Sequence, residues 1–527
     1  MEQIIQQSPT QSVFNLVVGL IGPYGAGSTS LTEELSRNIS EYPNCLVKTV
    51  HVASLIKQIY PLLTEDVAPM PGGNGQEKRK YLQKAGTDLR LMHRELVGTA
   101  IVSEIFRQGK ESEDNGDLKD KKILVFLVDS VKNSYDVKVL KQIYGKEFFL
   151  VAIHAPHEDR WRRMKQYKSW TETERADFEE CDKIDSDEKT YDAKVGDAGQ
   201  QVSKVAATAD YHIANTHNRE QLTNNCSRFV ELLFGFGSSQ PTIHERSMHL
   251  AFSAAGRSYC LSKQVGAAIV DSSGNILGIG HNDVPKALGG LYQNESTDKR
   301  CYQVGDCRCS NDTNKQERFE QLYENIFKTF PIDNKEELQK IISASQFRES
   351  TEYCRAVHAE MEALLSILRN PGRSTVGTSM YVTTYPCHNC TKHILCAGIK
   401  EVHYIEPYPK SLAEELHSDA IIFFGQEGDV SHDKVQFIPY HGVAPHTYDD
   451  FFLMNQERKD DDGRLIRKTK LQAVESPLFA KDLSRRARSD DSDDRTTLSE
   501  KIQFNSFMEM IGPAKEKKES QNGRQSN

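Results

Sequence analysis

The stretch "VFNLVVGLIGPYGAGSTSLTEELSRNI" (residues 13–39) decides the fold of the first half of the chain. Residues 13–22 are almost wholly apolar, which predicts a strand buried on both faces. Residues 28–39 space their apolar side chains as a helix does. Between them, Gly22, Gly25 and Gly27 leave the backbone free to approach an anion closely. Strand, glycine loop and helix form the context in which backbone N–H groups and a helix dipole cradle phosphate. Thr29 stands where a magnesium-binding hydroxyl belongs, but Ser28 stands where such loops carry lysine. Serine donates one hydrogen bond and brings no charge. The loop is therefore suited to holding phosphates rather than transferring them.

Outward from this loop the pattern continues. "ILVFLVDS" (123–130) is a second buried strand, ending in Asp129, an acidic residue placed to hold magnesium through water. "EFFLVAIHA" (147–155) is a third strand, and "ATADYHIANT" (207–216) ends in another. Residues 78–106 have helix-forming composition. Strands alternating with helices predict a parallel, doubly wound sheet. Arg160, Arg162 and Arg163 open a basic helix, which is either a lid over phosphates or a solvated face. "GFGSSQPT" (235–242) punctuates two periodic regions and marks the expected domain boundary.

With 527 residues, the chain has room for two to four domains. A net charge of −9 gives no global basic field and argues against a nucleic-acid-binding surface. Eleven cysteines, odd in number and clustered, fit a reducing interior with some as metal ligands. The early apolar run "LVVGLIG" (16–22) is too short to span a membrane, so a cytoplasmic location without membrane attachment is expected.

The second half begins with a helical stretch (244–258), then a hairpin, "QVGAAIVDSSGNILGIGHND" (264–283), turning at "DSSGN". A cysteine-bearing, polar insert occupies roughly 284–350. Residues 353–370 predict a helix, 379–387 a strand, 388–398 a helix and 401–406 a strand. Beyond 455 both charges mix densely, which predicts an irregular tail.

The strongest chemical signal is "HAE" (358–360) followed by "PCHNC" (386–390). Cys387 and Cys390 lie one turn apart at a helix start, where the dipole favours thiolates. His358, Cys387 and Cys390 give a zinc ion three ligands and leave its fourth position for water. Glu360 is not a ligand; it is placed to move protons between that water, a ring nitrogen and a departing amine. His-x-Glu followed by Pro-Cys-x-x-Cys is the signature of zinc nucleobase deaminases. Cys301, Cys307 and Cys309, three cysteines in nine residues, either hold a second, structural zinc with His281 or another fourth ligand, or are reduced thiols of a loop.

On these residues, 244–455 resemble the deoxycytidylate deaminase branch of the cytidine deaminase superfamily. In that branch an asparagine after the second hairpin strand contacts the nucleotide, and Asn282 is the match. His281 and Asp283 stand where the branch more often has tyrosine and glycine. Lys263, Lys286 and Arg300 are candidates for phosphate contacts or solvated charges. Residues 13–234 resemble a P-loop nucleotide kinase. The pairing of both halves resembles the bacterial antiphage dCTP/dCMP deaminases.

That resemblance implies an α/β protein in three parts. A P-loop kinase-like parallel sheet with helices on both faces (13–234) precedes a cytidine-deaminase-like α-β-α sandwich (243–455) and a charged, largely irregular tail (456–527). It further implies Zn2+-dependent deamination of deoxycytidine nucleotides that depletes dCTP. The first domain would be regulatory, with a nucleotide effector and Mg2+ at the P-loop, and the protein a homo-oligomer. Some members of the family are held inactive by a small RNA. Two other readings stand beside this one: an RNA- or single-strand-DNA-editing deaminase, and an NTP-binding switch with a non-catalytic zinc module.

Overall fold

The computed structural model describes residues 13–64, 69–72, 75–168, 170–216, 219–235, 239–293, 297–331, 334–343, 353–370, 372–408, 411–424, 433–453, 458–464, 466, 468–475 and 499–509. The chain forms two compact units, Met1–Pro241 with His441–Asn527, and Thr242–Tyr440. In chain order the second unit is thus an insertion within the first.

The strands of the first unit are β1 (Phe14–Ile21), β2 (Cys45–His51), β3 (Ile123–Asp129), β4 (Phe148–His154) and β5 (Tyr211–Ala214). The second unit holds β6 (Gly266–Val270), β7 (Ile276–His281), β8 (Ser379–Thr384), β9 (Glu401–Glu406), β10 (Ile421–Phe423) and β11 (Val435–Pro439). The chain then returns to the first unit as β12 (Gly442–Val443).

The first sheet runs β12-β5-β4-β1-β3-β2 and is parallel except for β12. The continuous apolar run of β1 is explained by burial on both faces. Val17 and Ile21 enter one core, while Leu16, Val18 and Leu20 enter the other. Strand β3 divides the same way, with Leu124, Phe126 and Val128 opposite Ile123, Val125 and Leu127. Alternate residues of a strand face opposite sides, so helices must cover both.

The second sheet runs β10-β11-β9-β8-β6-β7, parallel from β10 to β8 and antiparallel at β6 and β7. Its layers follow from glycines. A Cβ on Gly266 would meet Ala251 O at 1.9 Å, so helix Ile243–Ala255 lies directly on that face. A Cβ on Gly280 would meet Ala359 O and Ala363 N at 2.3 Å, so helix Ala359–Leu368 lies directly on β7. Gly280 pairs with Ala267, the neighbour of Gly266, so the two helices cover opposite faces.

Residues 78–106 fall in two helices, Gln76–Met92 and Leu96–Asp114. Three expectations are corrected. The stretch 353–370 is helical only over Ala359–Leu368, because Val357 bridges to Asp283 instead. The second unit ends at Tyr440, not 455, because β12 pairs with β5 and Phe451 enters a first-unit core. Part of the expected irregular tail is also ordered: Lys470–Glu475 is helical, and residues 499–509 form a helix that buries Phe507. No helix among the described residues is long and apolar enough to cross a membrane.

Candidate metal centre and phosphate loop

The triad forms where two helices begin. His358 caps helix Ala359–Leu368, and Cys387 caps helix His388–Cys396 just after β8. The Cys387 thiol accepts from the backbone N–H of Cys390 at 3.5 Å, as an N-cap does. His358 Nδ1 lies 3.4 Å from Cys387 Sγ and 3.3 Å from Cys390 Sγ. The ligand atoms of all three lie within 4.8 Å of one another, the sole such group of three or more among the described residues.

The donor set fits zinc. A hydrogen bond with Cys390, then one with His358, draws the Cys387 thiol down to about 4, against the opposing effect of burial. Hydrogen bonds from Cys354 and Cys387 raise His358. Two sulfurs and an imidazole nitrogen that share protons at this distance are a donor set from which zinc displaces those protons. Glu360 is 4% exposed, and burial pushes its carboxyl above the usual range. It stands in the first turn of the same helix, outside the ligand group.

Among the described residues, Cys301, Cys307 and Cys309 fall in no group of three or more ligand atoms within 4.8 Å of one another. Cys307 is exposed at a positive φ of 56°. Cys301 and Cys309 instead line a small cavity together with Cys260 and Cys354. His281 is buried beside Arg257, with its pKa lowered by burial first and by that charge second.

Asn282 is buried, and its amide is engaged. It donates to Lys263 O at 2.8 Å and accepts from Val265 N at 2.7 Å, pinning the loop that leads into β6. Its neighbour Asp283 belongs to a knot that the sequence does not announce. Arg300 Nη1 reaches Asp283 at 3.3 Å, and Arg300 Nη2 reaches Asp298 at 2.6 Å. The Asp283 carbonyl accepts from Val357 N at 2.9 Å, one residue before His358. Arg300 thus fixes the backbone that presents His358 through its contact with Asp283, 17 positions away, which no local motif reveals.

In the first unit, the glycine loop has the expected conformation. Gly25 and Gly27 hold φ of 79° and 94°, and Gly27 caps helix Ser28–Ser40. A Cβ on Gly22 would strike Ile153 at 2.3 Å. Thr29 is exposed, and Asp129 lies at the end of β3, 3.4 Å from His51 Nδ1. Arg160 donates to Tyr24 O at 3.0 Å and pairs with Asp182, while Arg163 reaches Ala26 O at 3.2 Å. Both therefore brace the loop's carbonyl side. Ser28 supplies no charge, but Lys132 does. Its Nζ donates to Gly22 O at 2.9 Å and to the buried Asp185 at 3.0 Å, and Arg79 binds the same carboxylate. Lys132 lies 110 positions from Gly22, three beyond Asp129, and only the β1–β3 pairing brings them together.

The second unit matches a known family. Residues 241–406 match the cytidine and deoxycytidylate deaminase zinc-binding region. Human deoxycytidylate deaminase is 30% identical over 161 residues, which cover 31% of this chain and 63% of that protein. Deoxycytidylate deaminase of Schizosaccharomyces pombe is 26% identical over 281 residues, covering 53% and 70%. The chain therefore spans about 63% of the length of the human relative. The apo dCMP deaminase of cyanophage S-TIM5 aligns with 38% of this chain and 100% of its own, at 20% identity and a TM-score of 0.21. The second unit thus carries a zinc-binding region similar to that of the deaminases.

Proposed function

We propose that the protein is a zinc-dependent hydrolytic deaminase of deoxycytidine nucleotides, dCTP or dCMP. The observation that carries this is the convergence of His358, Cys387 and Cys390 with Glu360 buried in the adjoining helical turn. Zinc held by the triad would supply Lewis acidity and lower the pKa of water. The chain's own part is proton traffic. The Glu360 carboxylate takes a proton from the water that adds to C4 and gives it to N3 of cytosine; it then moves the remaining hydroxyl proton to the amine, the C4–N bond breaks, ammonia leaves and C4 keeps the oxygen as a carbonyl. Burial keeps the Glu360 proton affinity high enough for both directions. Asn282 holds the loop before β6 in place beside the nucleotide.

The finer reading is that this activity depletes dCTP in defence against phage, with the first unit as regulator. Its support is the pairing of a lysine-lacking phosphate loop with a complete deaminase signature. In this reading the loop, with Gly22, Gly25, Gly27, Ser28, Thr29 and Asp129, takes a nucleotide effector with Mg2+, and the enzyme assembles with itself. The test is ammonia release from a panel of nucleotides, with and without added ATP or dNTPs. Turnover of dCMP or dCTP is expected, and Glu360→Ala should lower it at least about a hundredfold while zinc content stays the same. No turnover of any free cytosine nucleotide would defeat the proposal.

A further inference from the structure

A nucleotide substrate needs cations for its phosphates, and the candidates noted from sequence are engaged elsewhere. Lys263 pairs with Glu406 at 2.5 Å. Arg300 is held by Asp283 and Asp298 and lies 5.1 Å from the Tyr259 and Tyr302 ring centroids. The insert offers other cations. Its helix Ser310–Thr329 passes beside the segment that leads to His358. The Arg318 guanidinium lies 4.6 Å over the Tyr353 ring.

The start of this helix lines a groove of about 420 Å³, with Arg308, Asp312, Thr313, Lys315, Gln316 and Phe319 around it. Cys309 lines both the groove and the smaller cavity, and that cavity also touches Cys354, Arg355 and Ala356 on the approach to His358. Two cations face one carboxylate in the groove. Among the described residues, neither Arg308 nor Lys315 is committed to an ion pair or hydrogen bond. Unpaired cations in a recess beside a reaction centre suit an anion, and the recess is far larger than one phosphate group.

We propose that Arg308 and Lys315 form the phosphate subsite of this centre, taking the polyphosphate chain of a nucleotide whose base lies at the triad. The proposal rests on the deaminase reading above. It assigns to the insert a substrate preference for dCTP over dCMP and over deoxycytidine.

The test uses the full-length, zinc-loaded chain and the Arg308→Ala/Lys315→Ala double variant. The ratio of kcat/KM for dCTP to that for deoxycytidine should fall at least about tenfold, mostly through KM, and Lys315→Arg alone should retain most of the ratio. An unchanged ratio, or equal losses on nucleotide and nucleoside, overturns the subsite. If the wild type turns over no cytosine compound, the deaminase reading fails separately. The subsite is then judged by calorimetric titration with inorganic tripolyphosphate. The double variant should bind one equivalent fewer than wild type, and equal stoichiometry overturns the proposal.

Discussion

At the scale of single residues, the site's chemistry is set by burial and by what each polar group already holds. Glu360 gains proton affinity because it is buried, not because of a single partner. Arg300 is the opposite case: it is buried with two carboxylates and packed against two tyrosines, so its charge is spent on structure. Replacing it with methionine leaves Asp283 and Asp298 without their cation. We expect Arg300→Met to cost about 2 kcal/mol or more and to lower zinc occupancy, because Asp283 anchors Val357 just before His358. Denaturant melts with metal analysis measure both; an unchanged melt and full zinc would show that the knot is dispensable. The ligands themselves were legible in sequence, because H-x-E and C-x-x-C are short and each is completed within one helical turn. The tie of Arg300 to Asp283 and that of Lys132 to Gly22 were not, because these partners lie 17 and 110 positions away and only the fold brings them near.

At the scale of elements, the helix that carries Glu360 owes its position to missing side chains. Gly278 and Gly280 of β7 let helix Ala359–Leu368 rest its backbone on the strand; a Cβ on Gly278 would meet Ala363 O at 2.6 Å. Neither glycine needs a positive φ, so their role is close approach rather than turning. Gly280→Ala must push the helix away, carrying His358 and Glu360 with it. The expected result is a loss of about 2 kcal/mol or more with a drop in deaminase activity larger than the stability loss explains. Assays run well below the variant's melting temperature separate the two, and near-wild-type activity would contradict this account of the helix. The hairpin and its packing helix were readable from periodicity. Strand β2 was not, since "CLVKTVH" is an edge strand whose residues are mostly half-buried and mix polar with apolar.

At the scale of the whole chain, the first unit is closed by residues that follow the second. Strand β12 is two residues long, too short for any periodic signal, which is why the sequence put the boundary at 455. Val443, Phe451 and Val474 complete one core and Phe507 the other. A chain truncated after Tyr440 should keep its zinc but expose residues 13–241 to protease; full resistance of that segment would show the return to be superfluous. The same region predicts a pH dependence. His154 Nε2 lies 3.0 Å from His212 Nδ1, so the pair holds when at least one ring is neutral. Burial, then the nearby His441, lowers His154 to about 4 from the usual 6.5. Burial likewise lowers His212, with His154, His446 and His441 adding to it, while Asp210 holds His446 at 3.1 Å. Well above pH 6.5 neither folded nor unfolded chain protonates these rings appreciably, and stability is flat on their account. Between 6.5 and 4 the unfolded chain takes up protons that the folded one refuses, so stability falls as pH falls. Denaturant melts of the first unit at pH 7.5, 6 and 5 should show this slope, and His154→Gln should flatten it. A slope unchanged in that variant would place the acid sensitivity elsewhere.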